Sequence, residues 1–267
     1  MKNIYFELLE LAASGASAIL VTVVKKEGAG PAETGSKMIV YGNGGISGTV
    51  GGGNIERLAV EKARELMKKK TNALQKYNMD NGKNGEETGM LCGGSATLFF
   101  EYFAPQRHVY IFGGGHIGKA LAYHLRPMNY HVTVIDDRED VLESVSGADE
   151  KIHCTFEKAL DDRAVQKESY FIIATYQHHY DGEVLKRIYN SDWQPKYIGV
   201  VSSRKKKSML FGEVGKSVPD ADFDLSYIPV GLDIGGATPH EIAISIIAEM
   251  QAVANHKKVK HLRGNGA

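Results

Sequence analysis

Disulfide chemistry is nearly excluded at the outset. The 267 residues include two cysteines, Cys92 and Cys154, too few for a disulfide framework. An excess of one charge is missing as well. Lys and Arg total 32, and so do Asp and Glu, so no global field draws the chain to nucleic acid or to an anionic membrane surface. No apolar run approaches the length of a membrane span. The N-terminal stretch MKNIYFELLELAASG has helical periodicity, but Glu7 and Glu10 interrupt any signal-peptide core. These absences make a reducing cytoplasm the expected compartment. Internal repeats and low-complexity segments are lacking too. Basic clusters occur at 68–70, 204–207 and 256–258, and a solvated face is the simplest reading of each.

What is present is ordinary globular material, 43% hydrophobic and 24% charged, in a length that suits one large domain or two ordinary ones. The expected fold class is α/β: an N-terminal α+β domain over 1–104, then a Rossmann-like parallel-sheet domain over 105–267 ending in a helix. The first part has a helix at 4–13, strands at 18–25 and 38–41, and a GNGG turn at 42–45. A helix from Asn54 to Lys70 and strands at 73–79 and 96–103 follow. In the second part the apolar runs at 108–112, 170–176 and 197–201 alternate with helical stretches, which points to a parallel sheet. The last helix is announced by Thr238, Pro239 and Glu241, the residues of a capping box with proline at the first helical position.

Two glycine loops each open a helix. Gly113-x-Gly115-x-x-Gly118 follows a strand, with His116 inside it, and the next strand ends in Asp136-Asp137. That context is the dinucleotide-binding one. Glycines allow the tight turn, the approach of backbone to a pyrophosphate and close helix–strand packing, and the acid bonds a ribose hydroxyl. An acid there also repels a 2′-phosphate, which favours an unphosphorylated ribose. The alternative is a Rossmann-like scaffold that binds no nucleotide. The second loop, Gly48 to Asn54, holds Gly51, Gly52 and Gly53 and can form an anion-binding nest or simply a tight strand-to-helix turn. It is not a P-loop, because no Lys-Ser/Thr follows.

Cys92 stands in MLCGG, ahead of Gly93 and Gly94. A glycine turn is a poor place for a small core hydrophobe, and a thiolate there suits a thiophilic metal. His178, His179 and Asp181 follow the strand at 170–176, where ligands bind in open α/β sheets. Polar substrate contact, plain surface and a metal site all remain readings of that triplet. Arg204 and its lysines follow the strand at 197–201, within reach of a phosphate.

Together these residues are similar to the XdhC/CoxI accessory proteins of molybdenum hydroxylases such as xanthine dehydrogenase. The resemblance covers nearly the whole chain. It rests on VTVVKKEGAGPAETGSKMIV, GTVGGGNIE and MLCGG in the first part. In the second it rests on FGGGHIGKAL, VIDDRED, ATYQHHYDGEVL, YIGVVSSRKK and PVGLDIGGATPHEIAISIIAE. The resemblance implies a maturation factor. Such a protein binds the molybdenum cofactor, as molybdopterin or its dinucleotide form, protects it while a terminal sulfido ligand is installed, and delivers it to the apo-hydroxylase. It also implies Cys92 near the molybdenum and Glu56 as the acid closing a GGG-x-x-E motif. A cysteine desulfurase and a second copy of the chain are further expected partners, the latter through the apolar C-terminal helix unless its Leu, Ile and Ala are core. Asn54, Tyr176 and Ser202 depart from residues common in the family, and Asn54 removes a second sulfur ligand. The competing functions are an NAD-dependent oxidoreductase, with NAD on the same loop, and a cofactor nucleotidyltransferase.

Overall fold

The computed structural model describes residues 3–263 apart from Gly15, Ala32, 79–85, 88–93 and Asp162. The chain divides into two compact units, Met1–Gln106 and Arg107–Ala267.

The first unit contains α1 (Ile4–Ser14), β1 (Ala18–Gly28), β2 (Lys37–Tyr41), β3 (Ile46–Gly48), α2 (Gly53–Lys69), β4 (Ala73–Asn78), β5 (Glu86–Glu87) and β6 (Gly94–Phe103). Its sheet runs β3-β2-β1-β6-β4-β5, antiparallel except for the β4–β5 pair. The unbroken apolar run of β1 has a physical reason. Ile19, Val21 and Val23 point to one face, under Ile55, Ala59, Ala63 and Leu66 of α2. Ala18 and Leu20 point to the other, against Leu8 and Leu11 of α1. A sheet covered on both faces cannot alternate with polar residues. A bulge between Val23 and Lys25 ends that pattern in the β1–β6 ladder.

The second unit contains β7 (Arg107–Phe112), α3 (His116–Leu125), β8 (Tyr130–Asp136), α4 (Glu139–Glu143), β9 (Glu150–His153), β10 (Ser169–Ile173), α5 (His178–Asn190), β11 (Pro195–Val200), α6 (Arg204–Ser217), β12 (Ser226–Tyr227) and α7 (Pro239–Ala254). All its strands are parallel, in the order β12-β11-β10-β7-β8-β9. Numbered from β7 this is 3-2-1-4-5-6, the Rossmann arrangement. Alternate residues of the central strands feed two cores. Val109, Ile111, Val132 and Val134 meet α3 and α7, while Tyr110, Phe112, Phe171 and Ile173 meet α5 and α6. The apolar stripe of α7 is core: Ala243, Ile246 and Met250 are buried against the sheet and α3. Its cap forms as the sequence indicates. Thr238 Oγ1 accepts from the Glu241 N–H, and the Glu241 carboxylate accepts from the N–H groups of Thr238 and Ala237.

Candidate functional site

At the C-terminal edge of the parallel sheet, β7 feeds α3 on one face and its neighbour β10 feeds α5 on the other. The crevice between two such strands is where open α/β sheets bind ligands. The 113–118 loop is built for close approach. A Cβ on Gly118 would lie 1.9 Å from the Gly113 carbonyl oxygen, so only glycine lets α3 press onto the end of β7. Gly115 is the N-cap, no side chain caps the helix, and its first turn holds no acid. The space beside Gly115 is open. This N-terminus therefore presents positive potential to a cavity of about 370 Å³ lined by Gly115, His116, Lys119, Arg138, Thr175 and Tyr176, among others.

Asp136 ends β8 beside this loop and is fully buried. Its Oδ2 accepts from the Gly114 N–H at 2.7 Å and from Arg138 Nη2 at 2.9 Å. Its Oδ1 accepts from the Arg138 N–H at 3.0 Å and from Arg138 Nε at 2.8 Å. Burial alone would raise the pKa, but the Arg138 and Gly114 hydrogen bonds outweigh it and hold the carboxyl below its ordinary value. A carboxylate offers about four acceptor sites, and all are engaged. A ribose hydroxyl can bond Asp136 only by displacing Arg138, a partner the glycine motif does not announce. With the guanidinium in place, the charge argument against a 2′-phosphate also weakens. Arg138 lies 4.1 Å over the ring of Tyr176, whose hydroxyl donates to Asp137 at 2.9 Å.

The other glycine loop has a different electrostatic state. The N–H of Gly52 donates to Glu56 Oε1 at 2.8 Å and that of Val50 at 3.3 Å, and the Thr49 hydroxyl donates to the same oxygen. Gly51 and Gly53 adopt positive φ around this turn. The nest is thus filled from within, by an acid in the first turn of α2.

His178 is the first residue of α5 rather than part of an extended segment. Its Nδ1 lies 3.4 Å from Asp181, and its Nε2 meets Lys206 of α6. Burial raises the Asp181 pKa despite hydrogen bonds from Thr175 and His178. The His179 ring instead packs tilted against Tyr180. Among the described residues no group of three His, Cys, Asp or Glu side chains could hold a metal. Arg204 opens α6 and is exposed. Gly94 begins β6, where a Cβ would lie 2.2 Å from the Ala29 carbonyl oxygen, so its glycine serves strand packing. Cys92 and Gly93 lie outside the described residues. Cys154 is half-buried, and burial raises its thiol pKa. No helix among the described residues is long and apolar enough to cross a membrane.

Residues 109–250 match the family model described as the XdhC Rossmann domain, and residues 11–78 match that of the XdhC and CoxI family. The chain belongs to the XdhC/CoxI family. Among its relatives, an uncharacterized Escherichia coli protein, YqeB, is 27% identical over 95% of this chain and 47% of its own length. A probable xanthine dehydrogenase subunit from Bacillus subtilis is 27% identical over 58% of this chain and 46% of its own. The chain spans about half the length of these curated relatives. The crystal structure of a xanthine dehydrogenase from Bacillus halodurans superposes with a TM-score of 0.53 at 20% identity, covering 95% of this chain and 96% of that one. The likeness of fold extends over both units.

Proposed function

We propose that the chain is an accessory protein of a molybdenum hydroxylase, which holds the molybdenum cofactor and hands it to the apo-enzyme. The observation that carries this reading is the uncapped, acid-free N-terminus of α3 facing a cavity, within a family whose Bacillus subtilis relative is named a probable xanthine dehydrogenase subunit. The fit is chemical. Backbone N–H groups at Gly115 and His116 suit phosphate oxygens, and Lys119 and Arg138 supply cations at the same cavity. The cofactor, when bound, supplies the oxo and sulfido chemistry of molybdenum. This chain's residues would bind and shield it. Cys92 is the proposed sulfur contact to the metal. A second reading, NAD on the same loop, is favoured by the Gly113–Gly118 turn that opens α3, and it would require the ribose to displace Arg138 from Asp136.

The test is to purify the protein from cells that make the cofactor and to assay molybdenum and pterin. The accessory reading expects both, and it expects Cys92→Ser to keep the melting temperature while losing the metal. Iodoacetamide should modify Cys92 faster than Cys154, with bound cofactor protecting it. Normal molybdenum loading in Cys92→Ser would end the ligand role. NADH turnover on a carbonyl substrate, without molybdenum, would favour the second reading.

A further inference from the structure

The cavity at α3 has a wall that the phosphate cradle leaves unused. Arg138 follows β8 and Tyr176 follows β10, the two strands that flank β7. The guanidinium carbon of Arg138 lies 4.1 Å over the Tyr176 ring. The pair therefore bridges the crevice above the end of β7, where α3 begins. Both residues line the cavity.

Both members of this stack are held from behind. Asp136 takes Arg138 Nε on one oxygen and Nη2 on the other, which fixes the plane of the guanidinium and balances its charge. The Tyr176 hydroxyl donates to Asp137 at 2.9 Å, and its ring packs on Tyr180 with centroids 5.2 Å apart. A planar cation with one face on an aromatic ring has a second face, and 35% of the Arg138 side chain is exposed. Ile117, Val141 and Val201 add apolar walls to the same cavity. A flat π-system stacks on a guanidinium plane and is attracted by its charge. The helix N-terminus and Lys119 beside it suit an anion. A nucleoside diphosphate carries both features. We propose that the Arg138–Tyr176 stack is the platform for the nucleobase of such a ligand, which lies on the guanidinium face that Tyr176 leaves uncovered.

The inference rests on the anion cradle at α3 in the reading above, and it assigns Arg138 a separate task. With its charge matched by Asp136, Arg138 offers the ligand its face, and the phosphates fall to the helix N-terminus and Lys119. No ribose contact at Asp136 is needed. Every base has a π-face, so the platform is tolerant of base identity. It serves the nucleotide of a dinucleotide cofactor and a half of NAD equally, and the molybdenum assay and this one can fail independently.

The test is calorimetry with two probes, ADP and inorganic pyrophosphate, each compared between variants against its own wild-type affinity. Arg138→Lys keeps the charge opposite Asp136 and loses the plane. It should weaken ADP by roughly tenfold or more, because the ammonium cannot replace a stacked guanidinium, and change pyrophosphate by less than about threefold. Tyr176→Leu removes the ring behind the guanidinium and should weaken ADP by about fivefold, whereas Tyr176→Phe keeps the ring and should stay within about threefold of wild type. Tyr176 is 43% exposed, and Arg138→Lys preserves the ion pair, so melting temperatures should hold. Unchanged ADP affinity in Arg138→Lys and Tyr176→Leu would overturn the platform. An equal loss of ADP and pyrophosphate in Arg138→Lys would also overturn it, by making Arg138 a phosphate ligand. Wild-type protein that binds neither probe would overturn cradle and platform together. Wild-type protein that binds ADP but not pyrophosphate, with the ADP affinity still falling in Arg138→Lys, would remove the cradle and support the platform.

Discussion

The two glycine loops look alike in sequence and differ in what fills them. Each follows a strand, opens a helix and exposes backbone N–H groups near the N-terminus. In the 48–53 loop, Glu56 bends back and takes the N–H groups of Val50 and Gly52 on one oxygen. In the 113–118 loop, the acid nearest the turn, Asp136, takes only the Gly114 N–H and is otherwise held by Arg138. The helix start at Gly115 and His116 keeps an open cavity before it. The lesson is that a run of glycines specifies a nest, while the reach of the nearest acid decides whether the nest is a structural turn or a place for a ligand. Glu56 sits one turn into α2 and can fold back on its own loop, whereas Asp136 is tied to a neighbouring strand and cannot reach past Gly114.

The comparison can be broken most forcefully at Gly118. Gly118→Val places a side chain where the Gly113 carbonyl lies, and we expect a loss of about 4 kcal/mol, a size reserved for overpacking and backbone strain. Gly115→Ala adds a Cβ that meets no neighbouring atom, and it should leave stability within about 0.5 kcal/mol. Denaturant titration of both variants checks this; equal effects would mean that the loop is not pressed against the helix as described.

Asp136 offers a smaller but more specific effect. Because a ribose hydroxyl would first have to displace Arg138 from Asp136, Asp136→Ala should weaken ADP binding by less than about 1 kcal/mol; a calorimetric loss of about 1–3 kcal/mol, the worth of a hydrogen bond to a charged group, would show that the displacement occurs. The same residue gives a pH signature. Its folded-state pKa is depressed, so its contribution to stability is present above the unfolded value of about 3.9 and is lost as pH falls through the folded one. Wild-type stability should therefore drop more steeply below about pH 4 than that of Asp136→Asn. Parallel acid titrations of unfolding would reveal the opposite slope if the pairing with Arg138 were absent.

Glu56 sharpens the contrast from the other side. Glu56→Ala should cost about 1–2 kcal/mol by orphaning the loop donors. It should also convert the filled nest into an open one, so that millimolar sulfate raises the melting temperature of the variant more than that of the wild type. A sulfate response equal in both proteins would remove the self-filling account. Among the lost hydrogen bonds the smallest effect is expected at the α7 cap, where Thr238 accepts from the Glu241 N–H: Thr238→Ala should lower stability by about 1 kcal/mol without altering ADP affinity.

Much of this was legible before any coordinates. Strand ends and helix starts follow from local chemistry, so Phe112 ends β7 and Pro239 opens α7 where the motifs indicate. The buried run of β1 reads as a strand because its residues are β-branched and bounded by polar ends. The site was less legible. The Arg138 clamp depends on a side chain folding back two residues onto a carboxylate that burial has stripped of water. The contact of His178 with Lys206 joins positions 28 residues apart, brought together because β10 and β11 are adjacent and parallel. The dinucleotide reading of Asp136 named the right strand end but not the state of the carboxylate.

The sequence by itself determined the local grammar: two glycine turns, an acid at the end of β8, a capping box before the last helix, and the alternation of strand and helix that requires parallel pairing. Those features depend on residues within a few positions of one another, where propensity and hydrogen-bond reach are enough. Tertiary structure alone decided which N–H groups stay free, which carboxylates are neutralised, and that α5 and α6 begin side by side. Each of those depends on burial and on strand order, and both arise only when distant segments exclude water together.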